Sequence, residues 1–330
     1  MPAPPSLTVP CLLLLGLAAS AALAAASARP PSTDGWRQRA PLPEPRFEMA
    51  TAVVDGRLLV FGGFGPGVTA TTRVDAYDPA TDRWQRLADM PEALTHVNTA
   101  VDGRQVWLAG GFLDTGSGPA TLSVWRYDAD QDRFESGPPL PEARAGGGLA
   151  VLGDRLHYVG GLRADRDTDA ADHWSLDLDP VEISWQLAAS MPDPRNQFGV
   201  IVHDGRLYLV GGQHRHDSTL RAPLDRPRVD VYDPQTDTWS RGTDLPGPLS
   251  HVEPGAFAQD GRLVVVGGRG AGGLQSSILE LSPGGAWRVT AELPQALLAP
   301  GARAIGDLLI VVGGALDGYR PQATTWVRPW

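Results

Sequence analysis

Short apolar runs, each cut off by a pair of glycines, recur along this chain. They read "LLVF" before Gly62-Gly63, "VWLA" before Gly110-Gly111, "LHYV" before Gly160-Gly161, "LYLV" before Gly211-Gly212, "LVVV" before Gly267-Gly268 and "LIVV" before Gly313-Gly314. The first glycines of successive pairs lie 48, 50, 51, 56 and 46 residues apart, which is the period of a structural repeat rather than of chance. Every run follows a turn of the Asp-Gly or Gly-Asp kind, such as "VDGR" from Val54 or "HDGR" from His203, and a two-residue turn of that type between apolar segments predicts a β-hairpin. A second hairpin follows in most units, "VDAYDPATDRW" ending at Trp84 and "VDVYDPQTDTW" ending at Trp239 being the clearest. Each unit therefore predicts four short antiparallel strands, with the glycine pair at the end of the second.

The glycine pair, the later tyrosine and the closing tryptophan, at about 50 residues per unit, resemble the kelch repeat. That resemblance implies an all-β fold, a six-bladed kelch-type β-propeller over residues 35–330. One blade cannot bury both of its faces alone, so the array must close into a ring. The sixth unit runs out at Trp330 after its third strand, and the missing aromatic strand is found at the other end, in "GWRQRAPLP" from Gly35 to Pro43. The N-terminal strand, with Trp36 in the aromatic position, is thus expected to close the last blade. In this setting the glycines are structural, letting backbones approach where a side chain would not fit. A phosphate-cradling role fails because no helix is predicted after any pair.

Composition agrees with many strands and turns, with 39 Gly and 30 Pro among 330 residues. The chain has no lysine, and its net charge of −10 argues against duplex nucleic acid as a partner. From Cys11 to Ala26 an uncharged apolar stretch precedes Ala26-Ser27-Ala28, a small-x-small cleavage pattern. Residues 1–28 are therefore read as a signal peptide, residues 29–34 as a short linker, and the protein as exported, periplasmic or secreted. The apolar stretch is shorter than the roughly 20 residues a spanning helix needs, so no membrane span is expected after processing. Cys11 is the only cysteine. The mature chain is then expected to hold no disulfide, and no metal or cofactor is expected.

Candidate chemistry gathers on the side where the second strands end, here termed the top. Counting nine residues back from the Asp-Gly turns reaches the start of the innermost strand, where Arg46, Arg144 and Arg195 stand in three units and His251 in the fifth. Two residues on come Glu48, Gln197 and Glu253, and the second unit offers His96 and Asn98. Arginine forks around a channel mouth suit a carboxylate or phosphate, and ion pairs with neighbouring glutamates are the structural alternative. In the fourth unit the longest loop after a glycine pair carries His214, Arg215, His216 and Asp217, which with His251 and Glu253 supplies donors for zinc or for acid–base work. The tyrosines of the second hairpin, Tyr77, Tyr127 and Tyr232, are expected to pin it through the aspartate that follows each.

Two functional classes fit. The first is a binding module, a monomer that holds a protein segment or an acidic or carbohydrate ligand on its top face. The alternative is a carbohydrate-processing enzyme, such as a mutarotase like N-acetylneuraminate epimerase, with His251 or Glu253 as the acid–base group and Arg195 or Arg215 as the carboxylate clamp. The binding module is the preferred reading. Copper-radical oxidase chemistry of the galactose oxidase kind needs a cysteine cross-linked to tyrosine, and Cys11 falls in the leader. The ubiquitin-ligase adaptor role of many kelch proteins needs a helical domain ahead of the blades, which is not expected here.

Overall fold

The computed structural model describes residues 1–2, 35–114, 118–178, 184–215 and 224–330. The leader and linker expectations lie outside the described residues, as do His216 and Asp217. The described residues form six four-stranded antiparallel sheets and no α-helix, only a single 3-10 turn at Glu253–Gly255. In the first sheet Ala50–Val54, Arg57–Phe61, Val74–Asp78 and Arg83–Arg86 follow one another from the innermost strand outward. The next four sheets repeat that order. In the sixth, Gly301–Ile305, Leu308–Val312 and Thr325–Pro329 are completed by Arg37–Gln38 from the other end of the chain, with Arg37 opposite Val327 and Gln38 opposite Trp326. The innermost strands neighbour one another in sequence order, and the first also neighbours the sixth, so the six blades close a ring.

The local reasons are those of the pattern. Strands such as Arg57–Phe61 ("RLLVF") are buried along almost their whole length because both faces of an inner strand meet a neighbouring blade. Packed clusters sit between blades; Leu59, Phe61 and Val74 of the first blade meet Val106, Leu108 and Tyr127 of the second. Burial of such apolar area, at about 25 cal/mol per Å², is the main stabilising term.

Two ladders of polar contacts tie each blade to the next. Within a glycine pair the second amide donates to the carbonyl of the residue that starts the next blade: Gly63 to Leu94, Gly111 to Arg144, Gly161 to Arg195, Gly212 to Leu249, Gly268 to Leu297 and Gly314 to Arg46, all at 2.8–3.0 Å. A Cβ on Gly62 would stand 2.5 Å from the Leu94 carbonyl, and its φ is +55°, so only glycine fits. On the outer strands the indole N–H of each tryptophan donates to a carbonyl of the preceding blade, Trp84 to Ala40, Trp185 to Pro138, Trp239 to Ala189 and Trp287 to Thr243. Trp36 does the same to Glu292, which makes it the closing aromatic of the sixth blade.

One expectation changes. Tyr77, Tyr127 and Tyr232 donate not to the adjacent aspartate but to the one five residues on, Asp82, Asp132 and Asp237, at 2.7–2.8 Å. The same carboxylates accept the amides of Ala40, Ala88 and Ala189 from the preceding blade, so the tyrosine pins a junction as well as a hairpin.

Candidate functional site

The arginines at the start of the innermost strands do not line the mouth. Arg46, Arg144 and Arg195 are buried, and each turns back into its own blade. Arg46 donates to Asp75 Oδ2 at 2.6 Å and to the carbonyl of Arg73 at 2.8 Å. Arg195 donates to Asp230 Oδ2 at 2.7 Å and to the carbonyls of Gly211 and Leu209. Arg144 pairs with Asp172 at 2.5 Å and Glu142 at 2.9 Å, its guanidinium 4.8 Å from the Trp174 ring. Burial draws the Arg46 guanidinium down to about 10, against the pull of Asp75. The expected ligand clamp is thus a structural arm. Its main partner is an aspartate on or just before the third strand, which neither the clamp reading nor a neighbouring glutamate anticipated.

What does face the axis is the residue two places later. Glu48, His96, Gly146, Gln197, His251 and Ala299 hold equivalent positions, all with left-handed φ of 44–61°. Such a conformation at a non-glycine residue invites a functional reading. Its appearance in all six blades, whatever the side chain, ties it instead to the bend that feeds each innermost strand. His251 therefore aligns with Glu48, not with Arg46, and Leu249 takes the arginine position. The nine-residue count fails in the fifth unit because the 3-10 turn Glu253–Gly255 lengthens its approach by two residues.

Three of these side chains converge. His96 Nε2 lies 2.5 Å from Glu48 Oε2, and His251 Nε2 lies 3.8 Å from Glu48 Oε1. The first and fifth blades are separated by the sixth, so the second contact crosses the mouth over small Ala299. Behind His251, Ser250 Oγ stands 2.7 Å from Nδ1 and donates to Asp225 Oδ1 at 2.6 Å, and Asp225 accepts Arg269 at 2.9 Å. Glu253 joins Glu48 and His96 around a water-sized cavity of about 10 Å³. Burial first, then the Glu48 charge, raises the Glu253 carboxyl well above its ordinary range. Gln197 is buried, and neither atom of its amide has a hydrogen-bond partner among the described residues. Below this ring Arg303, pushed down to about 10 by burial, donates to the carbonyls of Pro254 and Thr51. Sequence reasoning passed over Arg303, although a lone arginine inside "GARAI" is its visible signal.

Of the expected histidine group, His216 and Asp217 lie outside the described residues, and His214 and Arg215 are held by partners other than those of His251. His214 contacts Asp193 at 3.2 Å and Arg226 at 2.7 Å, away from His251's partners, and the Arg215 amide donates to Asp169. Among the described residues no three or more His, Cys, Asp or Glu side chains are placed to hold a metal ion, nor is any helix long and apolar enough to cross a membrane.

A second top-face feature was not foreseen. Between the fifth and sixth blades a groove of about 220 Å³ is walled by Leu274, Leu298, Leu316 and Tyr319, with Arg269 and Asp317 at its rim. Tyr319 is 54% exposed, and its ring stacks 6.1 Å from Phe47.

The Kelch motif family model matches residues 45–91 and 194–246, the first and fourth units. The chain is 29% identical over 178 residues to the human Kelch repeat and BTB domain-containing protein 12, covering 49% of this chain and 28% of that protein. It is 28% identical over 214 residues to Kelch-like protein terF of Aspergillus terreus, covering 62% and 45%. The matched region spans less than half the length of these relatives. Among solved structures the fold is similar to "Structure of YjhT", with a TM-score of 0.71 and 16% identity over 86% of this chain and 95% of that one, a likeness of fold.

Proposed function

Because this chain is a β-propeller built of kelch repeats, we propose that it is an exported binding module that holds a protein segment in its top face. Exposed Tyr319 in the groove between the fifth and sixth blades carries the reading. A large aromatic held rigidly against Phe47, next to leucines and rimmed by one charge of each sign, has the composition of an interface anchor. The rigid ring below presents such a groove without ordering cost. The test is selection of displayed peptides on the wild-type protein, followed by affinity measurement on Tyr319→Ala and on Val289→Ser, an exposed site on an outer strand. Selected peptides are expected to lose at least tenfold in affinity on Tyr319→Ala and nothing on Val289→Ser. Equal binding to both variants overturns the reading, and selection of glycans alone from an array moves it to a carbohydrate ligand.

A second reading, a sugar-processing enzyme, is favoured by one observation, the buried Glu253 carboxyl close to Glu48, whose own carboxylate is met by two imidazoles. That cluster lies around a cavity with room for one water, so substrate access requires the mouth to open. Anomer exchange of N-acetylneuraminate followed by NMR, lost in Glu253→Gln, is the outcome this reading demands.

A further inference from the structure

The repeat supplies its own control for a site on the opposite face. At the middle of the second strand the six units carry Leu59, Trp107, His157, Tyr208, Val264 and Ile310, and at the third-strand position opposite the end of the second strand Val74, Val124, His173, Val229, Ile278 and Thr325. Only the third blade puts histidine at either position, and it does so at both. The two rings are buried, with His157 Nδ1 2.8 Å from His173 Nε2. His173 Nδ1 lies 3.2 Å from the Ala189 carbonyl, which can only accept. His173 therefore carries its proton on Nδ1 and accepts on Nε2, so His157 donates from Nδ1 and holds a bare lone pair on Nε2. Burial keeps both rings neutral, His157 brought down to about 3 and His173 to about 4. That Nε2 has no hydrogen-bond partner among the described residues.

His157 stands in the wall of a groove of about 500 Å³ between the third and fourth blades on the bottom face. Around it Arg155, Gln186 and Gln235 offer donors, Asp154 offers acceptors, and Leu187, 77% exposed, forms an apolar lip. Two imidazoles are buried where sibling blades carry mostly apolar side chains, and although His173 is anchored on the Ala189 carbonyl, the unpartnered His157 Nε2 costs stability that a leucine there would not. From this placement we infer that the groove between the third and fourth blades binds a small polyhydroxylated ligand of monosaccharide size, a shift of the side chains that cover His157 letting one hydroxyl donate to its buried Nε2. The volume suits such a ligand, and the alternation of acceptors and donors suits its hydroxyls. The site is independent of the top-face reading and stands or falls separately.

The experiment is a titration of the whole chain, its histidines labelled with 15N, with D-galactose, N-acetyl-D-glucosamine and D-glucuronate, read by long-range proton–nitrogen correlation. The free protein is expected to show His157 as the Nδ1–H tautomer. At least one sugar is expected to move its Nε2 resonance saturably and to raise the melting temperature by mass action. His157→Leu is expected to abolish the sugar-induced stabilisation while melting no lower than wild type. Gln235→Ala, at the surface, is expected to weaken binding severalfold with the core untouched. The inference is overturned if none of the three sugars moves the His157 signal, if His157→Leu still binds, or if His157→Leu together with His173→Val lowers the melting temperature, which would make the pair a structural one.

Discussion

At the scale of single residues the decisive quantity is burial without water. Asp230 serves two arginines of unlike exposure, buried Arg195 at 2.7 Å and Arg228, a quarter exposed, also at 2.7 Å. Its removal leaves Arg195 in the interior with its nearest other carboxylate, Asp193, at 3.9 Å. Asp230→Ala is therefore expected to cost about 3–5 kcal/mol, the range for breaking a buried pair from one side. Arg228→Ala is expected to cost less than about 1 kcal/mol, since water screens a partly exposed charge. Urea denaturation of the two variants separates these outcomes, and equal losses would mean that the buried arm adds nothing beyond a surface pair. The residue types of these arms were visible in the sequence; their partners were not. Asp230 is 35 positions from Arg195, and only the pairing of strands brings them together.

At the scale of elements the closing strand is the joint on which the ring depends. Arg37–Gln38 contributes only two paired residues, yet Trp36 reaches the fifth blade through Glu292 and Leu42 is buried. A chain starting at residue 44 lacks that strand and leaves Thr325–Pro329 as an open edge, a template for pairing with another chain. Compared with residues 35–330 it is expected to melt lower and to form concentration-dependent oligomers by size-exclusion chromatography; an unchanged melting temperature would show that closure of the last blade contributes little. This joint was legible in the sequence, because the missing tryptophan of the last unit and the surplus one at Trp36 are the same repeat split in two. The 3-10 turn of the fifth blade was not. It adds two residues between Leu249 and the Asp-Gly turn, and counting alone then assigned His251 to the place of an arginine.

For the whole molecule, pH dependence reports the buried groups with opposite signs. His157 and His173 have folded values of about 3 and 4, below the ordinary 6.5, so the unfolded chain binds more protons between these limits. Stability is then expected to fall as pH drops from about 6.5 towards 4, largely above the range in which the paired aspartates titrate. Glu253 works the other way: its raised value means that the stability it contributes is present at low pH and fades as pH climbs through that value. Thermal melts from pH 4 to 8 are expected to show a flatter acid limb for His157→Leu with His173→Val and a flatter upper limb for Glu253→Gln. An acid limb unaltered in the double variant would remove the histidine pair as its cause.

The number and order of strands, the glycine pairs and the closure by the N-terminal strand follow from the sequence by itself, because each depends on a local pattern repeated six times and repetition lets chance be told from rule. The sequence also marked Glu48, His96, Gln197 and His251 as polar residues near the mouth. Only the tertiary structure decided that arginines two positions earlier turn inward, that glutamate and histidine from blades not adjacent in the ring meet over a small alanine, and that Tyr319 stands exposed beside a groove. These outcomes depend on the direction of a side chain and on the distance between blades, and both are set by how six sheets pack around one axis, a relation that no segment of the chain contains.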